Sequence, residues 1–277
     1  MIITVIFDIL FFLVFAIVLL HFLVLDGSLV WGLFGVGVIF TAFTLWKSST
    51  ASKKDTTAVN WEPGFTNWFI VAKAATSAAG VATMNIFRIN GMYSANTHFV
   101  VVGFLNLNIL EAAVRDIELG YFENAAAAFV LMVTIPYTLS AEDIYILNEK
   151  TSEYHCFVFP LTILWVFLYT SWNGCFTYDD NLSWLTRLIL LPPIMVALLN
   201  SDIELWMGAR VLLLLLHLLL RAIQIIWIYK PGGSALTPIA GSICNSVTAC
   251  RIWGRVNFLL MCIYAGYLFI GMEPFSS

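Results

Sequence analysis

Stretches of about 20 apolar residues, separated by short polar or turn-forming runs, recur along the whole chain. That is the length a helix needs to cross a hydrocarbon core of roughly 30 Å at about 1.5 Å per residue. On this rule residues 2–24, 29–46, 65–87, 98–114, 122–139, 155–178, 184–199, 205–229 and 256–272 are expected to be helical spans. The predicted fold class is all-α, a polytopic transmembrane helical bundle of about nine spans (eight to ten), with residues 1–277 forming a single integral membrane domain. The punctuation between spans is informative. Leu25-Asp26-Gly27-Ser28 reads as a tight turn, and residues 47–64, with Lys47, Lys53 and Lys54, read as a polar linker. Residues 140–153 interleave acidic and apolar positions and suggest a short surface helix or loop. Pro192-Pro193 falls inside the seventh span and is expected to kink or break it. The Gly/Pro/Ser-rich stretch 230–255 is read as a loop, with room for a re-entrant segment at 235–247.

Composition sharpens the class. The chain is 61% hydrophobic and 11% charged, against about 45–50% and about 25% in soluble domains. A water-soluble globule needs more ionisable surface than this, which excludes a soluble enzyme and a disordered chain. The net charge of -4 and the scattered Lys and Arg exclude a nucleic-acid binder. Residues 2–24 hold Asp8 as their single charge, without the basic start and small-residue cleavage site of a secretory signal, so they are read as the first span. No Arg-rich presequence is seen either, so the kind of membrane is left open. With the N-terminus on the cytoplasmic or equivalent side, that side collects Lys47, Lys53, Lys54, Arg115, Arg187, Lys230, Arg251 and Arg255. The other side then has Arg88, Lys150 and Arg210, so the positive-inside bias selects this orientation. Trp31, Trp46, Trp61, Trp68, Trp184, Trp206, Trp227 and Trp253 mostly fall near span ends, as an aromatic belt requires. The five cysteines, Cys156, Cys175, Cys244, Cys250 and Cys262, are irregularly spaced and read as buried thiols rather than a disulfide framework.

Ionisable groups inside spans are costly and mark either helix-to-helix glue or function. Asn108, Glu111 and Arg115 recur at i, i+3 and i+7 on one face of the fourth span, with Asp116 beside them. Lys73, on the third span, is followed on the same face by Ser77, Gly80 and Met84. It lies at a depth that an antiparallel fourth span shares, so a Lys73–Glu111 ion pair is expected. Ala72, Ala75, Ala79 and Ala82 form a small-residue face for close helix approach. The eighth span carries Arg210, His217, Arg221 and Gln224 in one stripe on a leucine-coated helix. Arg221 is expected to meet Glu111 or Asp116. Arg210 is expected near the outer end, serving an anionic ligand or snorkelling, and His217 near the middle as a proton relay or a neutral core histidine. On the sixth span Tyr169, Asn173 and Thr177 share a face next to Trp172, with Asp179 and Asp180 beyond it. No cofactor or metal is expected. Lys73 is on the third span rather than a late span where a retinal Schiff base would sit, and His21 with His217 lacks any other support for haem. Hydrolase, metalloprotease, phosphate-loop and dinucleotide motifs are absent.

The run from Asn108 to Asp116, with Tyr169-Thr170-Ser171-Trp172-Asn173 later and Lys73 after Trp68-Phe69, resembles a multi-pass membrane family known chiefly as a bacterial domain of unknown function. The resemblance implies that Lys73, Glu111, Arg115, Asp116, Trp172 and Asn173 form one interior site, and it carries no substrate.

Two functional classes lead, with a membrane-embedded enzyme third. The first is a transporter or channel for an ion or a small polar or anionic solute, its path lined by the Lys, Glu, Arg and His of spans three, four and eight. The second is a non-catalytic accessory subunit of a larger membrane complex, whose polar stripes are glue. The first requires a hydrated cavity touching both the Asn108 and Arg210 stripes, and the second requires those groups paired and dry. The expected partners are the lipid bilayer and, on the second reading, other membrane subunits or further copies of the chain.

Overall fold

The computed structural model describes Val14, Ile17 and residues 68–92, 94–136, 140–153, 158–176, 190–223 and 247–270. These residues are helical with no strand among them: α1 Trp68–Ile89, α2 Ala95–Glu118, α3 Phe122–Val133, α4 Ala141–Glu153, α5 Ile163–Phe176, α6 Leu191–Leu199, a 3₁₀ turn Ile203–Leu205, α7 Trp206–Ile223 and α8 Val247–Ile270. Two stretches, Asn96–Glu118 in α2 and Thr248–Ile270 in α8, are long and apolar enough to cross a membrane. Apart from Val14 and Ile17, the first two predicted spans lie outside the described residues, as do the linker 47–64, Thr177, Asp179, Asp180, Gln224 and the segment 235–246.

The α1–α2 hairpin is closed by local chemistry. Gly91 takes φ 59°, a left-handed value that a glycine adopts without steric cost, and the Met92 amide reaches back to the Phe87 carbonyl at 2.8 Å. Ser94 then caps α2 in a reciprocal box with Thr97, which stabilises the helix start by about 1 kcal/mol. Gly120, at φ 78°, ends α2 in the same way, with the Tyr121 amide on the Asp116 carbonyl at 2.8 Å. The core lies where α2, α3, α5 and α8 meet. Ala112 and Ala113 of α2 pack with Ala125, Ala127, Ala128 and Leu131 of α3, all fully or nearly fully buried. Small side chains let these helices approach closely. Gly254 of α8 serves the same purpose, since a Cβ there would stand 3.5 Å from Asn124 Cβ.

Several helix limits differ from those expected, each for a local reason. Helix α3 has 12 residues, about 18 Å of length, because the Thr134 hydroxyl lies 3.0 Å from the Val130 and Leu131 carbonyls and Pro136 follows. Helix α5 starts only after Pro160, at Ile163. Pro192 and Pro193 occupy the first turn of α6, where their missing N–H groups cost nothing, and residues 184–189 of the expected span lie outside the described residues. Residues 247–255, read as loop, are the first turns of α8. The acidic stretch 141–153 is a helix with mostly exposed positions, as its composition suggested. Trp206 is not interfacial. It is buried against Trp165 and Tyr169, with ring centroids 6.0 and 5.0 Å away. Of the cysteines described, Cys175 and Cys250 are buried, whereas Cys262 is exposed. The small-residue face of α1 is also displaced: Ala75 and Ala79 are exposed, and Gly80 makes the close contact, its Cβ position 3.7 Å from Phe104.

Candidate functional site

Helices α1 and α2 run antiparallel, so the face Lys73, Thr76, Ser77 and Gly80 is set against Phe104, Asn108 and Glu111. The Lys73 ammonium donates to the Asn108 backbone carbonyl and, at 2.7 Å, to Asn108 Oδ1. It also stands 3.8 Å from Glu111 Oε2, with the two side chains 9% and 14% exposed. At that exposure neither charge is hydrated as in water, and each offsets the other's desolvation. The Thr76 hydroxyl has one proton and three acceptors, the Ala72 carbonyl at 2.8 Å, the Lys73 carbonyl at 3.3 Å and Glu111 Oε2 at 3.2 Å. Its bond to the carboxylate is therefore a shared one.

Helix α7 brings the third charge. Its first turn is held by Trp206, packed on Trp165 and Tyr169 of α5, and one turn later Arg210 is 6% exposed. Arg210 lies within electrostatic range of Lys73, and its burial shows that it does not snorkel to a surface. Its Nε and Nη1 have no hydrogen-bond acceptor among the described residues. The same holds for Trp206 Nε1 and Ser77 Oγ. Ser77, Asn108, Tyr169, Trp206 and Arg210 line one cleft between α1, α2, α5 and α7, closed otherwise by apolar side chains such as Met84, Val101 and Leu214. The cleft holds about 500 Å³ of non-atom space, part of it open to the surroundings.

The remaining expected site residues separate from this cleft. Asp116, fully buried, accepts from Asn124 Nδ2 at 2.7 Å, and the Asn124 carbonyl accepts from Trp172 Nε1 at 3.0 Å. These residues tie α2, α3 and α5 together away from Lys73. Five positions on a helix turn the side chain by about 140° and advance it about 7.5 Å, which is why Asp116 leaves the face that carries Glu111. Lys73 and Glu111 thus meet between α1 and α2, whereas Asp116, Asn124 and Trp172 join α2, α3 and α5. Arg115 pairs with Glu118 of its own helix at 3.1 Å, at the exposed end of α2. Asn173 Nδ2 donates to the Tyr169 hydroxyl at 3.4 Å and so touches the cleft indirectly. His217 and Arg221 are on α7, but their side chains lie outside the described residues, as does any contact of Arg221 with Glu111 or Asp116.

Sequence reasoning missed Asn124, although it is the polar residue interrupting an alanine run, a signal for helix glue. It also missed a cluster outside the predicted spans. Lys150 of α4 stands 3.0 Å from Asp202 Oδ2 and 2.6 Å from Glu204 Oε2. Partial burial pulls the Lys150 pKa down, but hydrogen bonds to Glu204 and Asp202 outweigh it and hold the ammonium above the ordinary lysine value. Among the described residues no three His, Cys, Asp or Glu side chains gather as a metal site would need. No protein-family model, curated protein or solved structure matches the chain.

Proposed function

We propose that this chain is a multi-pass membrane transporter or channel for an ion or a small polar or anionic solute, built as one domain of about nine spans with its N-terminus on the cytoplasmic or equivalent side. One observation carries the reading. The cleft touches the Asn108 stripe and the Arg210 stripe together, and its buried donors on Arg210, Trp206 and Ser77 have no acceptor among the described residues. Asp116 and Asn124 instead join α2 to α3 directly through Asn124 Nδ2, although Asn124 Oδ1 also has no donor among the described residues. A buried guanidinium is expensive inside a membrane unless it meets a partner, so its place on a cleft supports transient pairing with a solute.

The accessory-subunit reading rests on a different feature. Helix α8 exposes Leu259, Ile263, Phe269 and Ile270, an apolar face suited to lipid or to another subunit. Lipid contact accounts for that face within the transporter reading, whereas glue alone does not account for the cleft.

The test is flux through the purified full-length protein in liposomes, with potassium, chloride and pyruvate as probes. Flux above that of protein-free vesicles, reduced by Arg210→Met and altered by Glu111→Gln, is the expected result. Absence of flux for all three probes, with stoichiometric co-purification of other membrane proteins, would overturn the reading in favour of the accessory role.

A further inference from the structure

The atoms that line the cleft narrow the class of solute, an inference that rests on the transport reading. Arg210 Nε and Nη1 and Trp206 Nε1 are N–H groups that can only donate, and the Ser77 hydroxyl can donate as well. A cation has nothing to offer them. The charged side chains at the site sum to one positive charge among the described residues: Lys73 and Arg210 against Glu111. That balance matches a monoanion and undercompensates a dianion. The rest of the lining is largely apolar and includes Met84, Val101 and Leu214. A spherical halide would satisfy the donors and leave the apolar lining without a partner. A carboxylate with a hydrocarbon tail satisfies both.

We infer that the cleft binds a monocarboxylate with a hydrocarbon tail, its carboxylate accepting from Arg210, Trp206 and Ser77 and its tail resting on Met84, Val101 and Leu214.

The decisive measurement is equilibrium binding to the purified full-length protein in detergent, read by thermal stabilisation and by calorimetry. Sodium formate, acetate, propionate, decanoate and chloride are compared at equal ionic strength. Acetate and propionate should stabilise the protein in proportion to the logarithm of their concentration, propionate at the lower concentration, and chloride should not. Arg210→Met should weaken propionate binding roughly tenfold to a hundredfold, the usual range for losing hydrogen bonds to a charged group. Should that variant fail to fold, Ser77→Ala and Arg210→Lys give the milder form of the same test. Met84→Phe, which fills the apolar side, should weaken propionate more than formate. Equal stabilisation by chloride and propionate would overturn the carboxylate assignment and leave transport standing. Decanoate binding that Arg210→Met leaves unchanged would overturn the role assigned to the donors. No binding of any carboxylate, with flux of another probe in liposomes, would likewise overturn this inference alone. Propionate binding without flux of any probe would instead overturn the transport reading and leave the site.

Discussion

The Lys73–Glu111 pair permits a quantitative test, because the structure specifies what each partner keeps when the other is removed. At 3.8 Å the attraction between the two charges is about 4 kcal/mol at an effective dielectric of ~20, and desolvation of both groups opposes it. In Glu111→Gln, Lys73 retains the carbonyl and Oδ1 of Asn108 as acceptors, so the loss should be about 1.5–3 kcal/mol. In Lys73→Met, Glu111 retains only a share of the Thr76 hydroxyl among the bonds seen here, and the loss should reach about 3–5 kcal/mol. The double variant removes both charges and should cost about 2 kcal/mol or more less than the sum of the singles. Equilibrium unfolding of the four proteins in mixed micelles, titrated with a denaturing detergent, measures the cycle. Additivity within about 0.5 kcal/mol would refute the reasoning, because two groups that do not feel each other cannot be offsetting each other's desolvation.

The second network makes a contrasting case. Asn124→Ala removes the 2.7 Å donor to the fully buried Asp116 carboxylate and should cost about 2–4 kcal/mol. Trp172→Phe, which loses one 3.0 Å bond to a backbone carbonyl, should cost about 1 kcal/mol beyond its packing change, with both read by the same unfolding assay. Gly174→Ala would place a Cβ 3.0 Å from the Trp253 ring and should destabilise by about 1–3 kcal/mol, with Trp253→Phe restoring part of the loss. Lys150 gives a pH signature. Its folded pKa is raised, so its contribution to stability is fully present below the ordinary lysine value of about 10.4 and is lost as pH rises through the folded value. Stability of the wild type should therefore fall more steeply above about pH 10 than that of Lys150→Met. Parallel curves would remove the Asp202–Lys150–Glu204 cluster from the account.

The all-helical class was legible because apolar length and the spacing of polar residues are local properties of the chain. Helix ends were less so. The 122–139 stretch reads as one span by hydropathy, yet α3 stops at Val133, because the bonds that Thr134 makes to preceding carbonyls and the restriction imposed by Pro136 are stereochemical rather than hydropathic. Pro192-Pro193 illustrates the same limit in reverse. A proline pair breaks a helix interior and suits a helix start, and the choice depends on where the preceding turn begins. Residues 247–255 carry Arg251 and Arg255 and so look like loop, whereas Arg255 simply reaches Glu123 of α3 at 2.9 Å. A charged helix end paired with a neighbour has the composition of a loop and the geometry of a helix.

The site divides along the same line between local and non-local information. Lys73 and Glu111 were readable as partners because α1 and α2 are joined by a short turn, Gly91 to Ser94, which forces an antiparallel register on them. Arg210 was not, because which helix α7 meets is decided by the packing of Trp206 on Trp165 and Tyr169, contacts of large sequence separation. That packing changes the chemistry of the site. Lys73, Asn108 and Glu111 alone make a neutral, internally paired cluster, indistinguishable from helix glue. Adding Arg210 makes it carry one net positive charge beside buried donors that have no acceptor among the described residues. The case for a solute, and for an anionic one, therefore comes from the meeting of three helices and from none of them singly.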